Sequence, residues 1–278
     1  MNKKETAVVE KKEHAVAPAD LMDFAADAGQ GMENAGQESF AIPFLSVLQK
    51  GSPQVDEASG AALEGAKAGM LFENVTSRMF SGKDGVIIVP CSYRREFLRW
   101  GSRASGGGFK GAYSPEVLAD MRAKGQVVEL DGRLYAPEPD GSVNPEKSDR
   151  FNDTRNHYVL LMDTASGAWT EALLSLTSTQ IKKSKILMSA LASVKLKNAA
   201  GQLYTPPTFA NYVRLTTVPE SNDKGTWFGV KFELAGQVER NEVYAAAKAF
   251  HSNISKGDVQ VKYEDTDSAT PGGAGEGF

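Results

Sequence analysis

Residues 85–100, GVIIVPCSYRREFLRW, decide the fold, because here an apolar run continues into a charged and aromatic one. Its β-branched and aromatic residues favour a long strand, and Pro90 indicates a bend or a sheet edge within it. Apolar runs in this chain stay well short of the ~18 residues that a membrane helix needs. We therefore expect a strand-rich protein without a membrane span.

Three further pairs of β-rich segments lie outward from this strand, each pair joined by a turn. The first is VVELDGRLYA (127–136), in which Asp131-Gly132 is a strong hairpin signal. The second pairs NHYVLLMD with GAWTEALLSL around TASG (164–167). The third pairs NYVRLTTVPE with GTWFGVKFEL around SNDKG (221–225). The sequence thus predicts three antiparallel hairpins.

Helical segments interrupt the strands at three places. Residues 114–125 begin with Ser114 as N-cap and Pro115 in the first turn, and Gly125 ends the helix. Residues 177–198 begin with Thr177 and Gln180 in the spacing of a capping box. The third helix covers residues 239–255. The predicted fold is mainly β, of the α+β class: an OB-like barrel or a curved antiparallel sheet with two or three added helices.

Charge divides the chain into three parts. The net charge is −4 overall and −4 in each of the segments 1–40 and 264–278, which leaves +4 for residues 41–263. Segment 1–40 has few large apolar residues and is predicted to be a disordered acidic segment. Residues 41–263 form the predicted nucleic-acid-binding domain, and 264–278 a disordered acidic tail. A basic body between acidic ends favours an anionic partner.

The densest basic and aromatic stretch is residues 93–113, YRREFLRWGSRASGGGFKGAY. On an extended strand Tyr93, Arg95, Phe97 and Arg99 share one face. Bases stack on aromatic rings for ~1–3 kcal/mol each, while cations follow the phosphates, so this pattern favours single-stranded nucleic acid. The predicted binding residues are Tyr93, Arg94, Arg95, Phe97, Arg99, Trp100, Arg103, Phe109 and Lys110. The alternative is an ordinary strand, with the rings packed inward and the arginines solvated.

The second predicted helix adds Lys182, Lys183 and Lys185 in a segment without acidic residues. These lysines are predicted to extend the binding groove along the phosphates. A solvated amphipathic helix is the alternative, and the sequence leaves open whether the strand and the helix share a face.

Catalytic and cofactor motifs are missing from the sequence. It has no Walker A motif, no G-x-S-x-G and no His, Cys and carboxylate cluster with ligand spacing, so we predict no enzyme, no metal and no cofactor. Gly106, Gly108 and Gly111 satisfy G-x-G-x-x-G. The strand before them is charged, whereas a dinucleotide fold needs an apolar one. Without a secretory signal, a cytoplasmic protein is expected.

The last residues, YEDTDSATPGGAGEGF, are acidic and end on an aromatic ring. This tail resembles the C-termini of phage replication single-stranded DNA-binding proteins, although GGAGEG replaces a dense acidic run before Phe278. The body segments IPFLSVLQKGSPQ, SYRREFLRW and LTSTQIKKSK look like those of tailed-phage proteins encoded among replication genes. The resemblance implies an oligonucleotide-binding barrel and a tail that competes with DNA and recruits replication proteins. The tail residues concerned are Glu264, Asp265, Asp267, Glu276 and Phe278.

The sequence therefore predicts a protein that coats single-stranded DNA in bacteriophage DNA replication or recombination, with little sequence preference and regulated by its tail. Two alternatives stay open. One is a phage accessory or host-takeover module whose basic face binds an acidic protein, and the other is a single-strand annealing recombination protein. Oligomeric state and the preference for DNA over RNA are not decided by the sequence.

Overall fold

The computed structural model describes residues 26–35, 39–223, 225–259, 261 and 263. It confirms a mainly β protein of the α+β class. The strands are β1 (Leu45–Val47), β2 (Leu71–Glu73), β3 (Arg78–Phe80), β4 (Val86–Trp100), β5 (Phe109–Tyr113), β6 (Val128–Leu130), β7 (Arg133–Tyr135), β8 (Arg150–Met162), β9 (Trp169–Thr177), β10 (Leu196–Lys197), β11 (Leu203–Tyr204), β12 (Asn211–Asn222) and β13 (Gly225–Gln237). The helices are α1 (Pro115–Ala123), α2 (Ile181–Ser193) and α3 (Asn241–Lys256). None of these helices is long and apolar enough to span a membrane.

One eight-stranded antiparallel sheet carries the fold. Its order is β13-β12-β4-β8-β7-β6, and β5 and β9 pair with β4 and β8 respectively. Of the two predicted forms, the structure has the antiparallel sheet, since β13 and β6 do not pair and the described strands form no closed barrel. The other sheets are small, β1-β2-β3 and β10-β11.

The long strand predicted around residues 85–100 is β4, which lies between β12 and β8. Its pairing with β8 shifts between Pro90 and Ser92, so Cys91 is an extra residue in a β-bulge. Pro90 has no N–H to donate to a central ladder, and a bulge is where such a residue is tolerated. The predicted bend at Pro90 is this bulge. The bulge determines to which face of the sheet each side chain of the Arg-rich end points.

Helices cover both faces of the sheet. On one face, called the α2 face, Leu187 and Leu191 of α2 pack with Ile88, Val159 and Leu161. On the opposite α3 face the core contains residues of the sheet and of α3: Val89, Tyr158, Leu160, Val243, Ala247, Phe250 and Ile254. A third cluster lies under α1 and contains Phe97, Leu118, Val127 and Phe151. Alternate side chains of β4 and β8 therefore pack into two cores, one on each face of the sheet, as expected for strands buried on both faces.

All three predicted hairpins are present. β6 and β7 meet at Asp131-Gly132, whose φ angles of 50° and 72° are those of a type I′ turn. β8 pairs with β9, and β12 pairs with β13 as far as Asn222 and Gly225. β8, β12 and β13 are longer than the predicted segments, because tertiary pairing extends them beyond their local signals.

The helix starts were predicted with mixed success. α1 begins as expected, because the Ser114 hydroxyl accepts a hydrogen bond from the Val117 amide and Pro115 is the first helical residue. The capping box of α2 was wrong. Thr177 makes no side-chain cap, and Gln180 is buried, where it accepts from the Val230 amide and donates to Glu220.

Candidate nucleic-acid interface

The predicted binding residues of β4 divide between the two faces of the sheet. Tyr93, Arg95, Phe97 and Arg99 lie opposite His157, Arg155, Asp153 and Phe151 of β8, and so share the α2 face as predicted. Arg94 and Trp100 occupy alternate positions of the strand, and their side chains lie on the α3 face. The structure thus brings together four of the predicted residues and separates two from them.

Tyr93 is the exposed ring of the α2 face, with 37% of its surface accessible. It lies against the imidazole of His157, with ring centroids 5.2 Å apart. His157 is buried and shares a hydrogen bond of 2.8 Å with Ser184 of α2. Burial, helped by the charge of Arg155, lowers the pKa of His157 to about 4, so the ring beneath Tyr93 is neutral at pH 7. Tyr93 is therefore connected to α2 through His157.

Arg95 is exposed next to Tyr93 and forms a bidentate ion pair with Asp153. Its Nε and Nη2 atoms donate to the two carboxylate oxygens at 3.1 and 2.9 Å. The hydrogen bond to Asp153 raises the pKa of Arg95, and the guanidinium lies 5.0 Å from the centroid of Phe97. Phe97 itself is buried beneath it. Asp153 also binds Arg155, whose side chain is only 7% exposed.

Asp149 binds the next two predicted cations. Arg99 and Lys110 lie 2.7 and 3.2 Å from its carboxylate oxygens. Burial alone would raise the pKa of Asp149, but the hydrogen bonds from Arg99 and Lys110 hold it below its ordinary value. Three of the predicted phosphate-binding cations are thus engaged by carboxylates of the same chain.

On the α3 face the predicted residues are covered by other parts of the chain. The Arg94 guanidinium donates to the backbone oxygen of Ile254 in α3 and lies 6.0 Å from the ring centroid of Tyr158. Trp100 packs on Phe109 with a centroid distance of 5.7 Å. Phe109 in turn lies 4.7 Å from Tyr263. These rings are half-buried, so a smaller fraction of each is accessible than of Tyr93.

Tyr263 closes the α3 face at the end of the described chain. Its hydroxyl accepts a hydrogen bond of 2.8 Å from Asn156 and lies 3.5 Å from Glu96, to which it donates. Burial and the negative charge of Glu96 raise the pKa of Tyr263, so the hydroxyl stays protonated. The predicted tail residues Glu264, Asp265, Asp267, Glu276 and Phe278 lie outside the described residues. The tail therefore begins directly after a side chain that packs on Phe109.

Besides Arg94, which donates to a backbone oxygen, three predicted cations have no carboxylate within 4.0 Å among the described residues: Arg103, Lys182 and Lys185. Arg103 is exposed in a short 3₁₀ turn after β4, and the two lysines are exposed on α2. Lys183 instead pairs with Glu220 of β12 at 2.5 Å. The free positive charge near the α2 face is thus contributed more by the helix than by the strand.

Sequence reasoning missed the carboxylate partners of the arginines. Asp149 and Asp153 are ~50–60 residues away along the chain, and they come into contact with β4 only when β8 pairs with it. The available signal was the opposite charges in two strands that pair antiparallel. Within the described residues no three His, Cys, Asp or Glu side chains are grouped so as to hold a metal ion.

A family model described as Pam3 phage gp34-like protein matches residues 10–260. No curated protein matches the chain, and no solved structure does.

Proposed function

The chain belongs to the Pam3 phage gp34-like family, and from that premise we propose that it is a non-enzymatic single-stranded DNA-binding protein of phage replication or recombination. The observation that carries the proposal is the pairing of an exposed ring and an exposed guanidinium, Tyr93 and Arg95, on the α2 face. Ser184 contacts His157 beneath Tyr93, and the neighbouring Lys185 adds free positive charge. Aromatic rings with cations beside them are the usual platform for single strands.

The ion pair of Arg95 is compatible with phosphate binding. A guanidinium has five N–H donors, and Asp153 takes two of them, which leaves three for a phosphate. Asp153 neutralises much of the attraction between Arg95 and a phosphate. Arg95 therefore orients the DNA backbone, and the unpaired Arg103, Lys182 and Lys185 supply the net positive charge. A base stacks on Tyr93. Binding of this kind shows little sequence preference, because every base has a flat face.

The proposal includes a role for the tail. Its four carboxylates and Phe278 follow Tyr263, which is anchored beside Phe109, so the tail starts at the basic end of β4. A tail of this charge competes with DNA for the same cations, and its terminal ring is the proposed contact for replication proteins. The protein acts in the host cytoplasm under this proposal.

The test is a titration with fluorescent oligo-dT and with duplex DNA at two salt concentrations. We expect tighter binding to oligo-dT and weaker binding at high salt. Tyr93→Ala should weaken binding by ~1–3 kcal/mol, about 5- to 150-fold, because the stacking surface is lost. Tyr204→Ala is the matched control, since Tyr204 is an exposed tyrosine of the small sheet. Equal affinity for single strand and duplex, or no binding to either, rejects the proposal.

A second candidate is a protein-interaction module, and one observation favours it. The small sheet of β10 and β11 exposes large apolar side chains at two consecutive positions of β11, Leu203 at 65% and Tyr204 at 45%. Exposed aromatic and apolar neighbours are typical of protein contacts. A nuclease-treated pull-down with wild type and with Leu203→Ser separates the candidates. Partner capture that survives nuclease and is lost in Leu203→Ser favours the module.

A further inference from the structure

A groove separate from β4's Arg-rich end lies along the β12–β13 hairpin. It is bounded by β12, β13 and the segments 65–70 and 81–84, and has a volume of about 970 Å³. The side chains that matter here are Lys67, Lys83, Arg214, Lys231 and Phe228. They come from four distant parts of the sequence, so no local pattern marks the site.

The charge of this groove is positive. Four cations line it against two carboxylates, Asp84 and Glu233. Lys231 pairs with Glu233 at 2.6 Å, and Arg214 donates to the backbone oxygen of Asp84 at 3.0 Å. Lys67 and Lys83 are exposed and have no carboxylate within 4.0 Å among the described residues. Their charges are not neutralised by a described carboxylate, whereas Arg95 and Arg99 are each paired with one.

The walls of the groove are fixed by hydrogen bonds and close packing. The amide and carbonyl of Phe228 bond to the side chain of Gln49 at 2.9 Å each. The hydroxyl of Thr217 donates to the backbone oxygen of Gly69. A Cβ on Gly69 would meet the Phe228 ring at 2.6 Å, and the φ of Gly69 is +91°, so only glycine permits this approach. The ring is therefore held in place before any ligand binds, which reduces the entropy cost of binding.

We propose that this groove binds a second segment of single-stranded nucleic acid, with Lys67 and Lys83 on the phosphates and Phe228 against a base. The inference rests on the proposed function and extends it, because the bound single strand would contact a longer part of the protein surface. A ring in the same groove as unpaired cations favours a nucleotide chain, since an acidic peptide would use the cations and leave the ring without a partner of matching shape. Two separated contact areas require an oligonucleotide long enough to reach both.

The test combines cross-linking with salt dependence. Wild type is irradiated with oligo-dT that carries 5-iodouracil, and the linked residues are identified by mass spectrometry. We expect links at Phe228 as well as at Tyr93. Lys67→Gln with Lys83→Gln should reduce the slope of log K against log salt by about 1.4, since each phosphate contact to a single strand contributes about 0.7. The matched control, Lys147→Gln with Lys248→Gln, removes two other exposed lysines and should leave the slope unchanged.

The outcomes separate this inference from the proposed function. Links at Tyr93 alone, with an unchanged slope in the groove variant, overturn the groove and leave the proposed function standing. Links at Phe228 alone, with no loss in Tyr93→Ala, place binding in the groove and overturn the Tyr93 site. Oligo-dT that does not bind at all overturns both. Tighter binding of poly-glutamate than of oligo-dT with equal charge overturns the groove as a nucleic-acid site and assigns it to an acidic protein.

Discussion

Asp153 holds two guanidinium groups at once, and their surroundings differ. Arg95 is exposed on the α2 face, whereas Arg155 is buried in the sheet. An exposed ion pair contributes about 0–1 kcal/mol, but an uncompensated buried charge costs several. The carboxylate is therefore more important for Arg155 than for Arg95, and the fold tolerates the use of Arg95 by a ligand.

This difference gives a prediction for two substitutions. Asp153→Asn should lower the free energy of unfolding by about 2–4 kcal/mol, because it leaves Arg155 buried without a counter-charge. Arg95→Gln should lower it by less than about 1 kcal/mol, because Asp153 keeps Arg155. Urea unfolding of both variants measures the difference. Equal losses would contradict the distinction between the two arginines.

His157 gives the protein a pH-dependent stability. Its pKa is about 4 in the folded state against 6.5 for an ordinary histidine, because burial disfavours the charged ring. Between these two pH values the unfolded chain binds a proton that the folded chain does not. The free energy of unfolding should therefore decrease as the pH falls from about 6.5 to about 4, by about 3 kcal/mol in total.

The measurement is urea unfolding at intervals from pH 7 to pH 5, above the main titration of the carboxylates. His157→Gln cannot titrate and keeps a polar group near Ser184, so its stability should change less over this range than that of wild type. A wild-type stability that is flat from pH 7 to pH 5 would contradict a buried neutral His157.

At the scale of single elements, the start of α2 distinguishes local from tertiary control. The sequence predicted a capping box, in which Thr177 and Gln180 would satisfy free amides of the first turn. In the structure Gln180 instead connects α2 to β12 and β13 through Glu220 and the Val230 amide. A buried amide between two strands replaces the cap, because the sheet offers Gln180 both a donor and an acceptor.

The two arrangements predict opposite results for Thr177→Ala and Gln180→Glu. A capping box would lose about 1 kcal/mol in Thr177→Ala and accept glutamate at position 180. The observed contacts predict little change in Thr177→Ala. They predict a loss of about 2–3 kcal/mol in Gln180→Glu, since a second carboxylate would lie beside Glu220. Thermal and urea unfolding of the two variants decide between them.

Elements with local determinants were the ones that the sequence predicted well. Asp131-Gly132 determines its own turn through positive φ angles, and Ser114-Pro115 determines the start of α1. The open form of the sheet was not decided in advance, because strand order depends on contacts between distant residues. The bulge at Cys91 is a similar case. Pro90 indicated an interruption of the strand, but the sheet face to which Arg94 and Arg95 point depends on the pairing with β8.

At the scale of the whole molecule, the candidate site was only partly predictable. The density of cations in residues 93–110 is a property of the sequence, but the free charge there depends on Asp149, which precedes β8, and on Asp153 of β8. Conversely, Lys67, Lys83, Arg214 and Lys231 are dispersed in sequence and meet only in the folded hairpin groove. The local charge density of the sequence therefore overestimated the free positive charge near β4 and did not indicate the positive charge of the groove along the β12–β13 hairpin.

The last prediction concerns the balance of charge between the body and the tail. Residues 41–263 carry +4 and residues 264–278 carry −4, and the two parts join at Tyr263 beside Phe109. Removal of residues 264–278 should tighten oligo-dT binding by about five-fold or more at low salt, because DNA no longer competes with the chain's own carboxylates. The truncation keeps Tyr263, so the packing on Phe109 is preserved.

Salt and a second variant identify the cause of this change. At about 0.5 M salt the gain should largely disappear, since exposed charges are then screened. A full-length variant with Glu264→Gln, Asp265→Asn, Asp267→Asn and Glu276→Gln keeps Phe278 and should reproduce the gain if charge alone is responsible. If the neutralised tail binds DNA like wild type while the truncated protein binds more tightly, the terminal ring competes with the bases. Unchanged affinity in both variants at low salt would mean that the tail has no part in DNA binding.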